Sequence, residues 1–140
     1  MKKIEIPVIS KPVFSTCLDV RVYDLNYANH LGHDSFVSLM HEARVRYLKS
    51  LGFTELNAGG FGILVVNLIV NYKAEGFYGD KINIDLGIGD VTHTRVDFYY
   101  ELKNADSQKM IATAATTIVF YDFEQAKVTK VPEVFLDTLK

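Results

Sequence analysis

The sequence predicts an α+β domain in which an antiparallel sheet of five to six strands wraps around one long central α-helix. Three observations predict it. One strand-like run of period two comes first, one long run of period 3.6 follows, and four or five strand-like runs then succeed one another between turn-forming residues. The helical run carries an apolar stripe that must be buried, and the apolar face of the sheet is the surface available to bury it. At 140 residues the chain is long enough for a real core and is read as a single domain, residues 1–140.

Each element has a local reason. Residues 1–11 read as an irregular lead-in. From Phe14 to Val22, Phe14, Thr16, Leu18, Val20 and Val22 share one face against Ser15, Cys17, Asp19, Arg21 and Tyr23, the alternation of a strand. From Asp34 the period changes: Phe36, Leu39, Met40, Ala43 and Tyr47 fall on one side, joined by Leu48 and Leu51. Asp34 suits the positive N-terminal end of that helix, Arg46 and Lys49 suit its C-terminal end, and Gly52 is a stop signal; the helix runs for about 17 residues. Residues 57–62 read as a flexible connection. Ile63–Ala74 is almost continuously apolar and β-branched, with Leu64, Val66, Leu68, Val70 and Tyr72 on one face. It reads as a central strand in which Asn67 and Asn71 need hydrogen-bond partners.

The remainder is a meander. Ile82, Ile84, Leu86 and Ile88 alternate with Asn83, Asp85 and Gly87, and Val96, Phe98, Tyr100 and Leu102 alternate with Asp97, Tyr99 and Glu101. Residues 104–108 form a hairpin turn, Met110–Tyr121 a long strand, residues 122–126 a turn and Lys127–Val131 a short strand. Pro132 opens a short terminal helix, because its fixed φ and missing N–H suit a first turn.

Composition narrows the function. The hydrophobic fraction is 49% and the charged fraction 23%, ordinary for a globular protein. A net charge of -2 argues against nucleic acid as a partner. One cysteine, Cys17, allows neither a disulfide framework nor a zinc spacing and is read as a buried structural thiol. The start carries no signal-peptide stretch, and no run is long and apolar enough to span a membrane, so a cytoplasmic protein is expected.

The chemistry concentrates in Asp24-Leu25-Asn26-Tyr27-Ala28-Asn29-His30-Leu31-Gly32-His33, which packs two amides, two imidazoles, a carboxylate and a glycine between a strand and a helix. Rigid elements on both sides hold such a loop in place, which is what a catalytic constellation needs. Asn in a loop, and Asp at a strand end, also have turn chemistry as a sufficient reason.

Three features resemble the hotdog-fold acyl-thioester hydrolases, the 4-hydroxybenzoyl-CoA thioesterase-like and acyl-carrier-protein thioesterase-like family. Residues 24–33 are similar to the family's pattern of Asp, a variable residue, Asp, three variable residues, His, an aliphatic residue and Asn-Asn. His41-Glu42-Ala43-Arg44 is similar to the Glu-Ala-Arg segment of the central helix, and Tyr72 with Gly79-Asp80 to the step between two strands. The likeness extends from residue 12 to residue 136. It departs where Asn26 replaces the second aspartate and Gly32-His33 replace the paired asparagines.

The resemblance implies hydrolysis of an acyl-CoA or acyl-carrier-protein thioester, with no cofactor beyond coenzyme A as part of the substrate, no metal, and a homodimer or dimer of dimers with sites at the subunit interface. An asparagine is neither base nor nucleophile, so Asn26 would position water or the carbonyl. His30 would be the base, oriented by Asp24, with Glu42 as a second candidate base. The start of the helix, at Gly32, His33 and Asp34, would bind the oxyanion. Phosphates of coenzyme A would meet Arg95, with Arg44, Arg46, Lys49, Lys73 and His93 as further candidates. A non-catalytic acyl-CoA-binding module and an acyl-thioester dehydratase on the same fold are the alternatives.

Overall fold

The computed structural model describes all 140 residues. Strand β1 spans Phe14–Asp19 and is followed by a 3-10 turn, Val22–Asp24. The long helix α1 is His33–Ser50. Strands β2 (Gly62–Tyr72), β3 (Lys81–Val91), β4 (Arg95–Asn104), β5 (Met110–Asp122) and β6 (Lys127–Thr129) follow, and α2 (Glu133–Asp137) ends the chain. All strand pairs are antiparallel, in the order β1-β3-β4-β5-β2, with β6 on β5. This is the expected α+β arrangement of six strands and one long helix.

The core lies between α1 and the inner face of the sheet. Phe36, Leu39, Met40, Ala43, Tyr47 and Leu48 are buried along the helix, against Ile82, Ile84, Leu86, Val96, Phe98, Tyr100 and Leu102 from β3 and β4. Tyr47 meets Phe98 edge-on at 6.0 Å. On β5 the inner positions Ala112 and Ala114 are fully buried, and their small size lets the helix approach the sheet. The terminal helix closes the far end with Phe135 against Phe120, ring centroids 5.1 Å apart.

Four expectations are corrected. The first strand stops at Asp19, because the Asp24 carboxylate accepts the Arg21 backbone N–H at 2.8 Å and folds residues 22–24 into a turn. Alternation cannot reveal that competing local bond. Cys17 is exposed, since it lies on the outer face of an edge strand opposite Asn83. The apolar run Ile63–Ala74 is not central: β2 pairs with β5 alone and its other edge is open. A bulge at Val66 shifts its register from Val65↔Ile118 to Asn67↔Thr117, so Leu68, Val70 and Tyr72 share a face with Val65 and not with Leu64. The polar side chains of β2 find their partners within this chain. Asn67 Oδ1 accepts its neighbour's N–H, from Leu68 at 3.1 Å, and Asn71 Nδ2 donates to Ile4 O at 2.7 Å.

That last contact belongs to the lead-in, which crosses the outer face of the sheet without regular structure. Ile9 N–H donates to the buried Glu101 carboxylate at 2.9 Å, and the Ile9 side chain lies where a Cβ on Gly87 would approach within 3.0 Å.

Candidate active site

The loop before α1 is built by Asn26. Its Oδ1 accepts the N–H groups of Ala28 at 2.9 Å and His30 at 3.2 Å, while its backbone N–H donates to His30 O at 2.8 Å. Asn29 sits at φ 62, a left-handed conformation that asparagine tolerates better than most residues. Asn26 is thus first of all the anchor of its own turn. Its Nδ2 group makes no hydrogen bond within the protein and remains available to a ligand.

His30 follows from that turn. Its backbone bridges to Phe77, the two rings meet edge-on at 5.0 Å, and His30 Nδ1 lies 3.4 Å from Glu75 Oε1. The half-buried imidazole therefore has an aromatic wall on one side and a carboxylate on its Nδ1. Sequence reading missed Glu75, because nothing in local spacing links residue 75 to residue 30. The signal is the β2–β3 connection itself, which crosses back beneath the loop.

The helix begins at the same place. Gly32 is its N-cap at φ -68, so it is not left-handed; a Cβ there would stand 2.7 Å from Asp34 Oδ1, the tip of an exposed side chain that can turn aside. The first N–H groups of the helix, at His33 and Asp34, have no acceptor one turn back. Tyr72 pins this turn by donating its hydroxyl to His33 O at 2.7 Å, and its ring meets Phe36 edge-on at 5.0 Å. Burial and the nearby Asp34 charge both raise the Tyr72 phenol above its ordinary pKa, so it remains a donor at neutral pH. Tyr72→Phe is expected to lower stability by about 1 kcal/mol, the net value of one such bond, in urea denaturation. An unchanged midpoint would show that the helix start needs no pin.

Together these residues enclose a cavity of about 230 Å³, lined by Asn26, His30, Leu31, His33, Phe36, Tyr72, Ala74 and Glu75. The expected site residues divide around it. Asn26, His30 and His33 line the cavity, and Gly32 and Asp34 sit at the helix start. Asp24 does not reach His30: it is buried and its carboxylate faces Arg21, which explains it as the cap of the 3-10 turn. Glu42 lies with Asp24 on a separate cleft of about 340 Å³ and pairs with Arg46 at 2.8 Å. Arg95 begins β4 opposite Val119, whereas the cavity lies toward Leu102 and Ala112; seven residues of strand separate the two by roughly 23 Å within one protomer.

The remaining cation candidates divide in the same way. Arg46 also donates to Thr16 Oγ1 at 2.9 Å. Arg44 is buried, donating to Glu55 Oε2 at 3.0 Å and to Tyr100 Oη at 3.2 Å, so it holds the core together and meets no solvent phosphate.

Comparison with known proteins agrees with this geometry. The model of the thioesterase-like superfamily matches residues 20–139. A curated protein of Aquifex aeolicus is 24% identical over 123 residues, covering 86% of this chain and 93% of its own. Among solved structures, a 1,4-dihydroxy-2-naphthoyl-CoA thioesterase from Synechocystis superimposes with TM-score 0.82 at 23% identity, covering 90% of this chain and 94% of that one. A Staphylococcus aureus protein solved in complex with CoA superimposes with TM-score 0.83 at 16% identity, covering 96% and 85%. The sheet order, the single long helix and the family match agree: this chain is a hotdog-fold member of the thioesterase-like superfamily.

Proposed function

We propose that the protein hydrolyses an acyl thioester, with coenzyme A as the thiol, at the cavity between the Asn26–His30 loop and the start of α1. The single observation that carries this reading is the convergence of His30, backed by Glu75, with the unpaired N–H groups of a helix N-terminus. Superposition on a protein solved with CoA supports a CoA thioester as the substrate class.

Each group then has a role. The Glu75 carboxylate, 3.4 Å from Nδ1, favours the proton on that nitrogen, which leaves Nε2 of His30 as the acceptor that takes a proton from water. The water oxygen bonds to the thioester carbon, and the carbonyl electrons move onto oxygen. That oxyanion is met by the His33 and Asp34 N–H groups and the positive end of the α1 dipole. Collapse breaks the C–S bond, the thiolate takes the proton back from His30, and free acid and thiol leave. Asn26 Nδ2 holds the water or the carbonyl oxygen. The carboxylate partner of His30 is Glu75 and not Asp24.

Asn26→Asp tests the amide. It keeps the Oδ1 acceptor that builds the loop, replaces the Nδ2 donor with a second acceptor and adds a negative charge. The expected outcome is a folded protein with kcat for acyl-CoA lowered about tenfold or more, the cost of one hydrogen bond to a developing charge. Equal or greater kcat would show that a carboxylate at this position serves turnover as well as the amide does, so that donation from Nδ2 is not required.

A homodimer fits the same geometry. The open edge of β2 exposes Val65, Val66 and Leu68, with Val45 of α1 also exposed. An uncovered apolar edge of this kind invites pairing with a second copy. Tyr72 and Ala74 bring the cavity to the end of this strand, so the partner would complete its wall. Sedimentation should report a dimer or a dimer of dimers, and a monomer that hydrolyses acyl-CoA would remove the partner from the site.

A further inference from the structure

At the end of α1 away from His30, the helix and the sheet part around a cleft of about 590 Å³, more than twice the volume beside His30. Tyr47, which lines it, stands about 21 Å along the helix from His33. The size is ordinary for a small-molecule site, about 300–1,000 Å³. The chemistry at His30 makes no use of this cleft.

Its walls are apolar and set by the fold. Leu51 closes the helix side, and Val13 closes the side where the lead-in enters β1. Ile88 and Val91 come from β3. On a regular strand, residues three apart face opposite sides of the sheet. The register of β3 on β4 shifts between these two residues, and that bulge turns both side chains onto one cleft.

Two donors face this apolar space. Tyr47 is only 3% exposed, and its ring is held between Phe14 at 5.7 Å and Phe98 at 6.0 Å. Its hydroxyl opens onto the cleft, where the group facing it is Thr138. Thr138 spends its own proton on Phe135 O at 2.6 Å and can only accept. Burial raises the Tyr47 phenol, which therefore keeps its proton and remains a donor. A ligand carboxylate is a stronger acceptor than the Thr138 hydroxyl. Lys11 is the second donor: it is exposed and has no carboxylate partner in the protein. Lys140 shares the mouth but is already paired with Asp137 at 3.2 Å, so the free charge is that of Lys11. Its flexible four-carbon stem lets the ammonium follow a ligand inward. A neutral buried donor and a free cation on an apolar cleft match an acid with a hydrophobic body.

We propose that this cleft binds a hydrophobic carboxylate, its body on Leu51, Ile88 and Val91 and its carboxylate shared by Tyr47 Oη and the Lys11 ammonium. The site is built without His30, Asn26 or the start of α1, so it stands independently of the thioesterase reading.

Octanoate, titrated calorimetrically, tests the cleft, with octylammonium and octanol as controls. The wild type should bind octanoate and neither control. Affinity should fall about tenfold in Lys11→Glu and in Tyr47→Phe, the loss of one donor to a charged group. Binding should vanish in Val91→Trp, whose indole fills the cleft, and should be unchanged in His30→Ala. Lys11 is exposed and Val91 is 41% exposed, so misfolding does not obscure those two variants. Octanoate that fails to bind the wild type at about 1 mM, or that binds no better than octylammonium, overturns the cleft. So does binding that Lys11→Glu and Val91→Trp leave intact and His30→Ala removes, which puts the acid in the Asn26–His30 cavity. Octanoate bound through Lys11 by a protein inactive on every thioester overturns the hydrolase reading and leaves the acid site standing.

Discussion

His30→Ala is expected to lower kcat for acyl-CoA hydrolysis by about 10²–10⁴-fold, the usual contribution of a positioned general base. The variant should fold, because the imidazole is only half buried and its backbone bonds to Asn26 and Phe77 do not involve the ring. Thiol release from a panel of acyl-CoA substrates measures the loss. Glu75→Ala should show a smaller fall in the same assay, since the 3.4 Å contact orients His30 without touching substrate. Its effect should appear in kcat more than in KM. If His30→Ala turns over at the wild-type rate, the water is activated elsewhere and Glu42, on the neighbouring cleft, becomes the base to test. Acyl-CoA that binds both proteins without turnover would instead favour an acyl-binding module, and hydration of an enoyl-CoA a dehydratase.

The second large effect concerns stability. Arg44→Ala should cost about 3 kcal/mol, a large share of the 5–15 kcal/mol of an ordinary domain. Arg44 lies buried between Glu55 and Tyr100, and its loss leaves the Glu55 carboxylate half-buried with only His41, at 2.5 Å, as partner. Tyr100 keeps Thr116 at 2.8 Å, which limits the damage. Arg44→Met refills the volume and should recover part of the loss. Urea denaturation of both variants measures this, and a change in KM for acyl-CoA without loss of stability would return Arg44 to phosphate binding. The same cluster sets an acid limit. Burial raises the Glu55 carboxyl, but the hydrogen bonds from His41 and Arg44 outweigh it and hold the group below its ordinary 4.5. A depressed carboxyl stabilises the fold above its unfolded pKa and ceases to do so as pH falls through its folded one. Glu55 should therefore contribute fully above about pH 4.5 and lose its effect in more acid solution; Glu55→Gln should flatten that part of the stability profile.

How much was legible in the sequence depended on the range of the interaction. The long helix was readable because Phe36, Leu39, Met40, Ala43 and Tyr47 repeat at its own period, and all five are buried. The strands after it were readable for the same reason: Ile82, Ile84 and Leu86 are buried where alternation puts them. Pro132 marks the start of the terminal helix, one residue ahead of its first turn. Periodicity failed at β2, because a strand rich in apolar residues has the same composition at an open edge as at the centre of a sheet, and the bulge at Val66 leaves no mark in the pattern.

The site divides along the same line. The sequence by itself located the loop, residues 24–33, and named the hydrogen-bonding groups in it, because local spacing determines which groups share a turn. It could not say which way each group faces. Tertiary structure turned Asp24 to Arg21, set Glu42 on another cleft and brought Glu75 to His30 across 45 positions of chain. The physical reason is that a turn is closed by bonds two to four residues apart, whereas a catalytic pair is closed by the packing of distant segments. Only the folded sheet decides which segments meet.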